Sequence, residues 1–298
     1  MIWNRIKSAA WHAAYRKLPE GSILEERETP FVEIANNWPY YSVMDPFIFE
    51  HCGDTYIFAE LYDSLKGRGV IGYSKWTGER FSEWKAVIEE NYHLSYPFVY
   101  SDKNGEVFIV PESFQNKSVH SYHAISFPEK WERESTLIDN VEYVDTTFLK
   151  NKSEVFAFTY DIATAPKKLL LYRIGDGKIV ENERKCISQD DGVARPGGRF
   201  FEYHGCLIRV SQDCSKSYGS GLVFSEVTPD FWNNYSERQF RVFGVNELWK
   251  TSSLKGEGVH TYNATSQFEV IDIKNTCFRP IDIVLRLKRR ISALLYRD

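Results

Sequence analysis

The sequence predicts an all-β fold, a five-bladed β-propeller with short helical or irregular extensions at its ends. Three observations support this prediction. A hairpin-like unit recurs five times at nearly constant spacing, and further segments with the pattern of β-strands follow the hairpins. Hardly any segment has helical periodicity. A β-sandwich would also contain many short strands, but it would not repeat a motif with a constant period.

The repeated unit is a polar residue, an apolar strand, a polar turn and a second strand that ends near an acidic residue. In the first copy, MDPFIFEHCGDTYIFAE (44–60), Asp45 opens the first strand and Glu60 ends the second. The first strands open, in chain order, at Asp45, Tyr96, Asp145, Arg195 and His260. Successive openings are about 50 residues apart. The last step is longer because of an insertion around residues 228–240.

The five openings predict a shared pocket. The first strand of each propeller blade lines the central channel, so residues at matching ends of these strands converge on one mouth. The ends of the second strands are expected to supply a further shell, although some of their side chains point away because side chains alternate along a strand. These ends are Glu60, Glu112, Asp161, Asp213 and Asp272.

The predicted organisation has three parts. Residues 1–30 are expected to form an N-terminal extension with helical character, residues 31–278 the propeller, and residues 279–298 a basic amphipathic helix. The N-terminal stretch lacks the continuous apolar region of a signal peptide. The C-terminal helix is expected either to contact an anionic membrane or a partner, or to pack on the propeller with its charges in water.

The composition of the chain argues against two classes of ligand, nucleic acid and zinc. The formal net charge of −4 argues against a nucleic-acid binder. The five scattered cysteines never have CxxC spacing, which favours free thiols in a reducing compartment over a zinc site. We therefore expect a cytoplasmic protein, peripheral on the inner face of the membrane, with no cofactor and no metal.

Seven motifs carry a family resemblance. They are DPFIFE, YHLSYPFVY, VPES, YVDTTF, ARPGGRFF, QDCSKSYG and GVHTYN. Together they resemble the propeller domain at the N-terminus of plant glucosamine inositolphosphorylceramide transferases, a domain that also occurs in bacterial envelope-polysaccharide gene products. The resemblance covers about residues 38–275. More distantly, the five blades resemble family 43 glycoside hydrolases.

The hydrolase resemblance implies a catalytic trio: a base or nucleophile Asp in the first blade, a pKa-tuning Asp in the third and an acid Glu in the fourth. Asp45 and Asp145 match the first two positions. The fourth blade opens with Arg195 and has no Glu there, so Glu112 of the second blade is the predicted replacement. The predicted catalytic residues are therefore Asp45, Glu112 and Asp145.

Further residues are predicted to bind substrate. They are Glu60, Tyr96, Arg195, Arg199, Gln212, Asp213 and His260. A guanidinium in a pocket mouth needs an anionic partner, because it cannot lose its charge. For Arg195 that partner is Asp145, Asp213 or a substrate phosphate or carboxylate, and the sequence does not choose among them.

Three functions fit this pattern. The favoured interpretation is a glycosyltransferase of envelope polysaccharide or glycolipid assembly, which binds a nucleotide- or lipid-phosphate-linked sugar between Asp45, Glu112, Asp145 and Arg195. The first alternative is a furanosidase-like glycoside hydrolase that uses Asp45 and Glu112. The second is a glycan-binding propeller without catalysis. The missing Glu of the fourth blade favours transfer over hydrolysis.

Overall fold

The computed structural model describes residues 8–18, 22–25, 30–151, 153–175, 178–228, 230–251, 256–277, 283–285 and 287. Within these residues, 20 strands form five antiparallel sheets of four strands each. Each sheet is one blade of a propeller, so the predicted fold class is confirmed.

The chain begins with two strands that it later uses to complete the ring. These are β1 (Ser8–Lys17) and β2 (Val32–Glu33). The first blade then comprises β3 (Tyr41–His51), β4 (Asp54–Asp63), β5 (Arg68–Lys75) and β6 (Lys85–Ile88). The second comprises β7 (Ser95–Ser101), β8 (Val107–Glu112), β9 (Ser118–Ser126) and β10 (Lys130–Asp139), with a 3-10 turn at Phe114–Asn116.

The third and fourth blades follow the same order. The third comprises β11 (Tyr143–Asn151), β12 (Glu154–Asp161), β13 (Lys168–Gly175) and β14 (Lys178–Ser188). The fourth comprises β15 (Phe201–Tyr203), β16 (Cys206–Asp213), β17 (Gly221–Val227) and β18 (Glu237–Gly244), and a short helix α1 (Val245–Thr251) follows it.

The fifth blade joins both ends of the chain. It comprises β19 (Tyr262–Ala264) and β20 (Phe268–Cys277), followed in the sheet by β1 and β2. β1 pairs with β20 along its whole length, from Ser8 opposite Cys277 to Lys17 opposite Phe268. The N-terminal strand therefore closes the ring.

This closure corrects the predicted N-terminal extension. Residues 8–17 were expected to have helical character outside the propeller, but they form the third strand of the fifth blade, between β20 and β2. Ala13 and Ala14 are fully buried there, and neighbouring Arg16 forms a buried ion pair with Glu269 of β20. The propeller thus includes β1 and β2, and its boundary does not lie at residue 31.

The predicted C-terminal helix falls mostly outside the described residues. Residues 283–285 and 287 are helical, with Val284 and Leu287 exposed, and the other residues of 279–298 are not described. Among the described residues, no helix is long and apolar enough to cross a membrane.

A shared backbone distortion marks the start of three inner strands. Asp45, Tyr96 and Asp145 have φ angles of 51°, 43° and 53°, a region that residues other than glycine rarely adopt. Pairing with the second strand is interrupted at each of these positions. The interruptions lie between Met44 and Phe47, between Ser95 and Phe98, and between Val144 and Thr147. Such bulges re-aim a side chain, and here they recur with the blades.

Candidate active site

Asp45 connects the first blade to its two neighbours. Its Oδ1 accepts a hydrogen bond of 2.7 Å from the hydroxyl of Thr261 in the fifth blade, and its Oδ2 accepts one of 3.2 Å from the backbone N–H of Tyr96 in the second. The backbone N–H of Asp45 donates to Asp272 Oδ2 at 3.0 Å. The carboxylate of Asp45 is therefore fixed in orientation at the centre of the ring.

His260 lies between two carboxylates. Its Nδ1 is 2.8 Å from Asp272 Oδ2, and its Nε2 is 3.3 Å from Asp45 Oδ1. Burial disfavours the imidazolium, but the carboxylates of Asp272 and Asp45 outweigh it, so the pKa of His260 is above its ordinary value. Burial raises the pKa of Asp45 to about 6, against the opposing effect of His260. The titrations of these two groups are therefore coupled.

The same trio is the place where a metal could bind. The ligand atoms of Asp45, His260 and Asp272 lie within 4.8 Å of one another. Imidazole and carboxylates suit many divalent metals. An ion there would replace the contacts that the imidazole makes with the two carboxylates. The sequence did not predict this arrangement.

Arg195 pairs with Asp145. Its Nε is 2.5 Å from Asp145 Oδ2, and its Nη2 is 3.9 Å from Glu112 Oε2. Gln212 Nε2 also donates to Asp145 Oδ2, at 2.9 Å. Of the anionic partners predicted for Arg195, the structure thus shows Asp145.

Glu112 is a buried carboxyl group beside this pair. Burial raises the pKa of Glu112 well above its ordinary value, and Asp145 raises it further, while Arg195 acts in the opposite direction. The protonated form of the Glu112 carboxyl group is therefore favoured over the ionised form. A neutral carboxylic acid can donate a proton, which is the property of a general acid.

Glu60 and His93 form a second polar pair. Glu60 is buried, and burial together with Asp45 and Glu112 raises the pKa of Glu60 well above its ordinary value. His93 Nε2 lies 3.6 Å from Glu60 Oε1. His93 Nδ1 accepts a hydrogen bond of 2.8 Å from the backbone N–H of Gly69, so the proton of the neutral ring is on Nε2 and faces Glu60. Burial lowers the pKa of His93, which favours that neutral form.

Two aromatic side chains cover the Arg195 and His260 side of the site. The guanidinium of Arg195 lies 4.9 Å from the centre of the Tyr218 ring, and that ring lies 4.9 Å from the imidazole of His260. Trp11 also packs against His260, with 4.3 Å between the two ring centres. Tyr218 is 44% exposed, so it marks the solvent side of the site.

Three predicted binding residues are used differently. Asp213 does not join the site: its carboxylate accepts hydrogen bonds from the N–H and hydroxyl of Ser215. The reason is strand alternation, since its neighbour Gln212 points to Asp145. Arg199 donates to the Val99 carbonyl, at 2.5 Å.

Tyr96 has a similar structural use. Its hydroxyl hydrogen-bonds to Thr147 at 2.7 Å and to the Gly198 carbonyl at 3.3 Å. Its ring packs edge-on against Phe47, with 4.8 Å between the ring centres. The side chain therefore joins blades together, while only its backbone N–H contacts Asp45.

Sequence reasoning missed two polar members of the site. His93 precedes the second inner strand by two residues, and Thr261 follows His260. Both adjoin predicted strand openings, which is the signal that could have identified them. The site thus combines the predicted site residues and the predicted strand end Asp272 with Thr261 and His93, the predicted site residues being Asp45, Glu60, Glu112, Asp145, Arg195, Gln212 and His260.

Comparison with protein families matches residues 30–271 to the N-terminal domain of glucosamine inositolphosphorylceramide transferase 1. A protein with this transferase's name from Arabidopsis thaliana is 27% identical over 205 residues, which are 63% of this chain and 26% of the relative. One from Oryza sativa subsp. indica is 29% identical over 224 residues, 72% of this chain and 30% of the relative. The chain spans less than a third of these plant proteins.

Two solved structures of carbohydrate enzymes have a similar fold. A family 43 β-xylosidase/α-arabinofuranosidase from a compost metagenome superimposes with a TM-score of 0.56 and 10% identity, covering 80% of this chain and 91% of that one. The catalytic domain of a family 62 α-L-arabinofuranosidase from Coprinopsis cinerea gives 0.53 and 12% identity, covering 78% and 90%. At such low identity the likeness shows the fold alone.

Proposed function

The chain belongs to the family of the N-terminal domain of glucosamine inositolphosphorylceramide transferase 1, and we propose that its propeller binds a sugar in the central pocket and takes part in glycosyl transfer. The reaction would serve the assembly of an envelope polysaccharide or a glycolipid. The names of the plant relatives and the carbohydrate enzymes that share the fold support a carbohydrate-directed role.

One observation carries the proposal: the buried carboxyl groups of Glu112 and Asp45 lie in the same pocket, and both have raised pKa values. Burial raises the pKa of Glu112 well above its ordinary value, and it raises that of Asp45 to about 6. Two titratable groups whose environments separate their pKa values can divide the roles of acid and base.

The roles of Glu112 and Asp45 in transfer follow from these pKa values. Glu112 gives its proton to the oxygen of the leaving group as the bond to the anomeric carbon breaks. Asp45 accepts the proton of the attacking hydroxyl as the new bond forms. Asp145 stays paired with Arg195, which lies near Glu112 and favours the ionised form that Glu112 takes after donating its proton.

Incubation of the protein with nucleotide-linked and lipid-phosphate-linked sugars, followed by mass spectrometry of the products, tests this function. Transfer to an acceptor, lost in Glu112→Gln and in Asp45→Asn, is the expected result. Cleavage of an oligosaccharide with no turnover of any donor would overturn transfer.

Hydrolysis is the second candidate because the structural neighbours are glycoside hydrolases. The same pair would act with water as the attacking group. Release of reducing sugar from an oligosaccharide, abolished by Asp45→Asn, would distinguish hydrolysis from transfer. Sugar binding that survives both substitutions, without any turnover, would assign the pocket to glycan recognition alone, with the chemistry done elsewhere.

The basic segment 279–298 motivates a proposal about location. Its sequence carries Arg286, Lys288, Arg289, Arg290 and Arg297 among apolar residues. Such a pattern favours binding to the anionic inner face of a cytoplasmic membrane. Co-sedimentation with phosphatidylserine vesicles, but not with phosphatidylcholine vesicles, is expected; equal binding to both would overturn it.

A further inference from the structure

One cation lies across the central channel, apart from the carboxyl groups of the candidate active site. Arg199 precedes β15 of the fourth blade, and its Nη2 donates to the Val99 carbonyl in β7 of the second blade at 2.5 Å. Its guanidinium also lies 4.7 Å from the centre of the Phe98 ring in β7. The second and fourth blades are not neighbours in a ring of five, so these contacts cross the channel.

This guanidinium is separated from the carboxyl groups around Asp45. The backbone N–H of Tyr96 contacts Asp45, and Val99 lies three residues further along β7, which corresponds to about 10 Å of strand. The Tyr96 side chain crosses the channel between them, because its hydroxyl hydrogen-bonds to the Gly198 carbonyl of the fourth blade. Arg199 therefore lies in a separate layer of the channel, nearer the turns that join the first two strands of each blade.

Arg199 has no carboxylate partner among the described residues. Burial lowers the pKa of Arg199 to about 10, and the group that opposes this effect is the phenol of Tyr96. That phenol is uncharged at neutral pH, because burial raises the pKa of Tyr96 well above its ordinary value. Within the described part of the chain, Nε and Nη1 of Arg199 also have no hydrogen-bond partner.

Other arginine side chains that are largely buried do have an anionic partner. The pairs are Arg16 with Glu269, Arg195 with Asp145, and Arg209 with Glu237. A buried charge without such a partner is costly, and a guanidinium cannot avoid the cost by losing its proton at neutral pH. The Val99 carbonyl and the Phe98 ring are neutral groups, so they leave the charge of Arg199 unbalanced.

We propose that this layer of the channel binds a small, singly charged inorganic anion, of the size of chloride, on the free N–H groups of Arg199. A guanidinium has five N–H donors and no acceptor, so an anion both accepts its remaining hydrogen bonds and balances its charge. A doubly charged phosphate would leave surplus negative charge beside the Val99 carbonyl oxygen. A metal cation would be repelled by the guanidinium.

The proposed anion stabilises the closed ring. It binds where side chains of the second and fourth blades meet, and the unfolded chain has no such site, so binding favours the folded state. The inference does not depend on the proposed function, because the site is separate from the carboxyl groups that would act on a sugar.

Thermal unfolding of the full chain at constant ionic strength tests the proposal. Replacing sodium gluconate, whose anion is bulky, by sodium chloride should raise the melting temperature by about 2–4 °C along a saturable curve. Arg199→Met should abolish this rise. Arg80→Met removes one positive charge from an exposed position and is the matched control, which should keep the rise. An equal rise in Arg199→Met and the wild type, or no rise in the wild type, would overturn the proposal.

The same variants separate anion binding from a purely structural role of Arg199. In gluconate, Arg199→Met should be at least as stable as the wild type, because it removes an unpaired buried charge. In chloride, the wild type should gain stability relative to the variant. If Arg199→Met is less stable by the same margin in both salts, the guanidinium acts only through Phe98 and Val99, and the proposal fails.

A crystal of the unaltered chain soaked in sodium bromide gives a test that does not depend on how a variant folds. Bromide replaces chloride chemically, and its anomalous scattering identifies it. The expected result is an anomalous peak within hydrogen-bond distance of the Arg199 guanidinium. Bromide peaks on the protein surface with none at Arg199 would show adventitious binding only and would overturn the proposal.

Discussion

The guanidinium Nε of Arg195 in the fourth blade lies 2.5 Å from Asp145 Oδ2 in the third. Arg195 precedes the inner strand of the fourth blade, where the resemblance to family 43 hydrolases implied a Glu. Gln212 and Glu112 adjoin the ion pair, so the charge of Arg195 acts on two carboxyl groups. Arg195, which replaces the expected Glu, is thus part of the hydrogen-bond network of the site.

Removing this cation should destabilise the fold. Arg195→Met leaves the buried Asp145 carboxylate without its cation, which is expected to lower the free energy of unfolding by about 3 kcal/mol. Urea denaturation measures it. Arg238→Met, which breaks an exposed ion pair with Glu226, is the control and should leave the midpoint unchanged. An equal effect of both substitutions would contradict the account.

Glu60 should make stability depend on pH. Its pKa is raised by burial and by Asp45 and Glu112, so the folded protein holds a proton that the unfolded chain releases. The stability from this group is complete below the ordinary pKa of Glu and is lost as pH rises through the folded-state pKa. Glu60→Gln should therefore match the wild type at about pH 4 and exceed its stability at neutral pH, by up to about 1.4 kcal/mol for each pH unit.

Melting temperatures of both proteins across this pH range measure the effect. Glu50→Gln, with its exposed carboxylate, should follow the wild-type curve at every pH. A constant difference between Glu60→Gln and the wild type would mean that the Glu60 carboxyl group does not titrate abnormally.

The ring closure depends on a buried ion pair. Arg16 Nε donates to Glu269 Oε1 at 2.6 Å, and Glu269 also accepts the backbone N–H of Ile23 and the hydroxyl of Tyr262. Glu269→Leu alone removes the buried carboxylate that pairs with Arg16 and should cost about 3–5 kcal/mol. The double variant Arg16→Met/Glu269→Leu should recover part of that loss in chemical denaturation. A double variant less stable than Glu269→Leu would show that the two side chains stabilise the fold through contacts other than their mutual ion pair.

Gly198 should not tolerate a side chain. A Cβ there would lie 1.9 Å from the Tyr262 carbonyl oxygen, at a φ of +150°. Gly198→Ala should therefore cost several times the ~1 kcal/mol expected for Gly53→Ala, where φ is +81° and nothing lies within 4 Å. Denaturation midpoints compare the two. Similar losses would mean that the backbone near Tyr262 can shift freely.

The sequence predicts the repeated part of the fold well. The inner strands of the first three blades each open with a polar residue at a bulge, namely Asp45, Tyr96 and Asp145, and the recurring polar residue is the part of this pattern that the sequence shows. β1 was assigned wrongly because its alanines resemble a helix, and its partner β20 lies at the other end of the chain. Such a long-range pairing leaves no local signal.

The site is predicted in position but not in detail. Register alone brings together Asp45, Asp145, Arg195 and His260. It cannot say whether a side chain at a strand end faces the channel, which is why Asp213 was included and His93 was not. Nor does it reveal that Arg195 pairs with Asp145, because that contact depends on how two blades approach each other.

Crystals of the protein soaked with a sugar show most directly whether the central channel is the binding site. The expected result is a sugar ring in the central channel, within hydrogen-bond distance of Glu60 and Glu112 and beside Asp45. A sugar bound on the outer strands or at another loop, with the channel occupied by protein alone at saturating ligand, would contradict it.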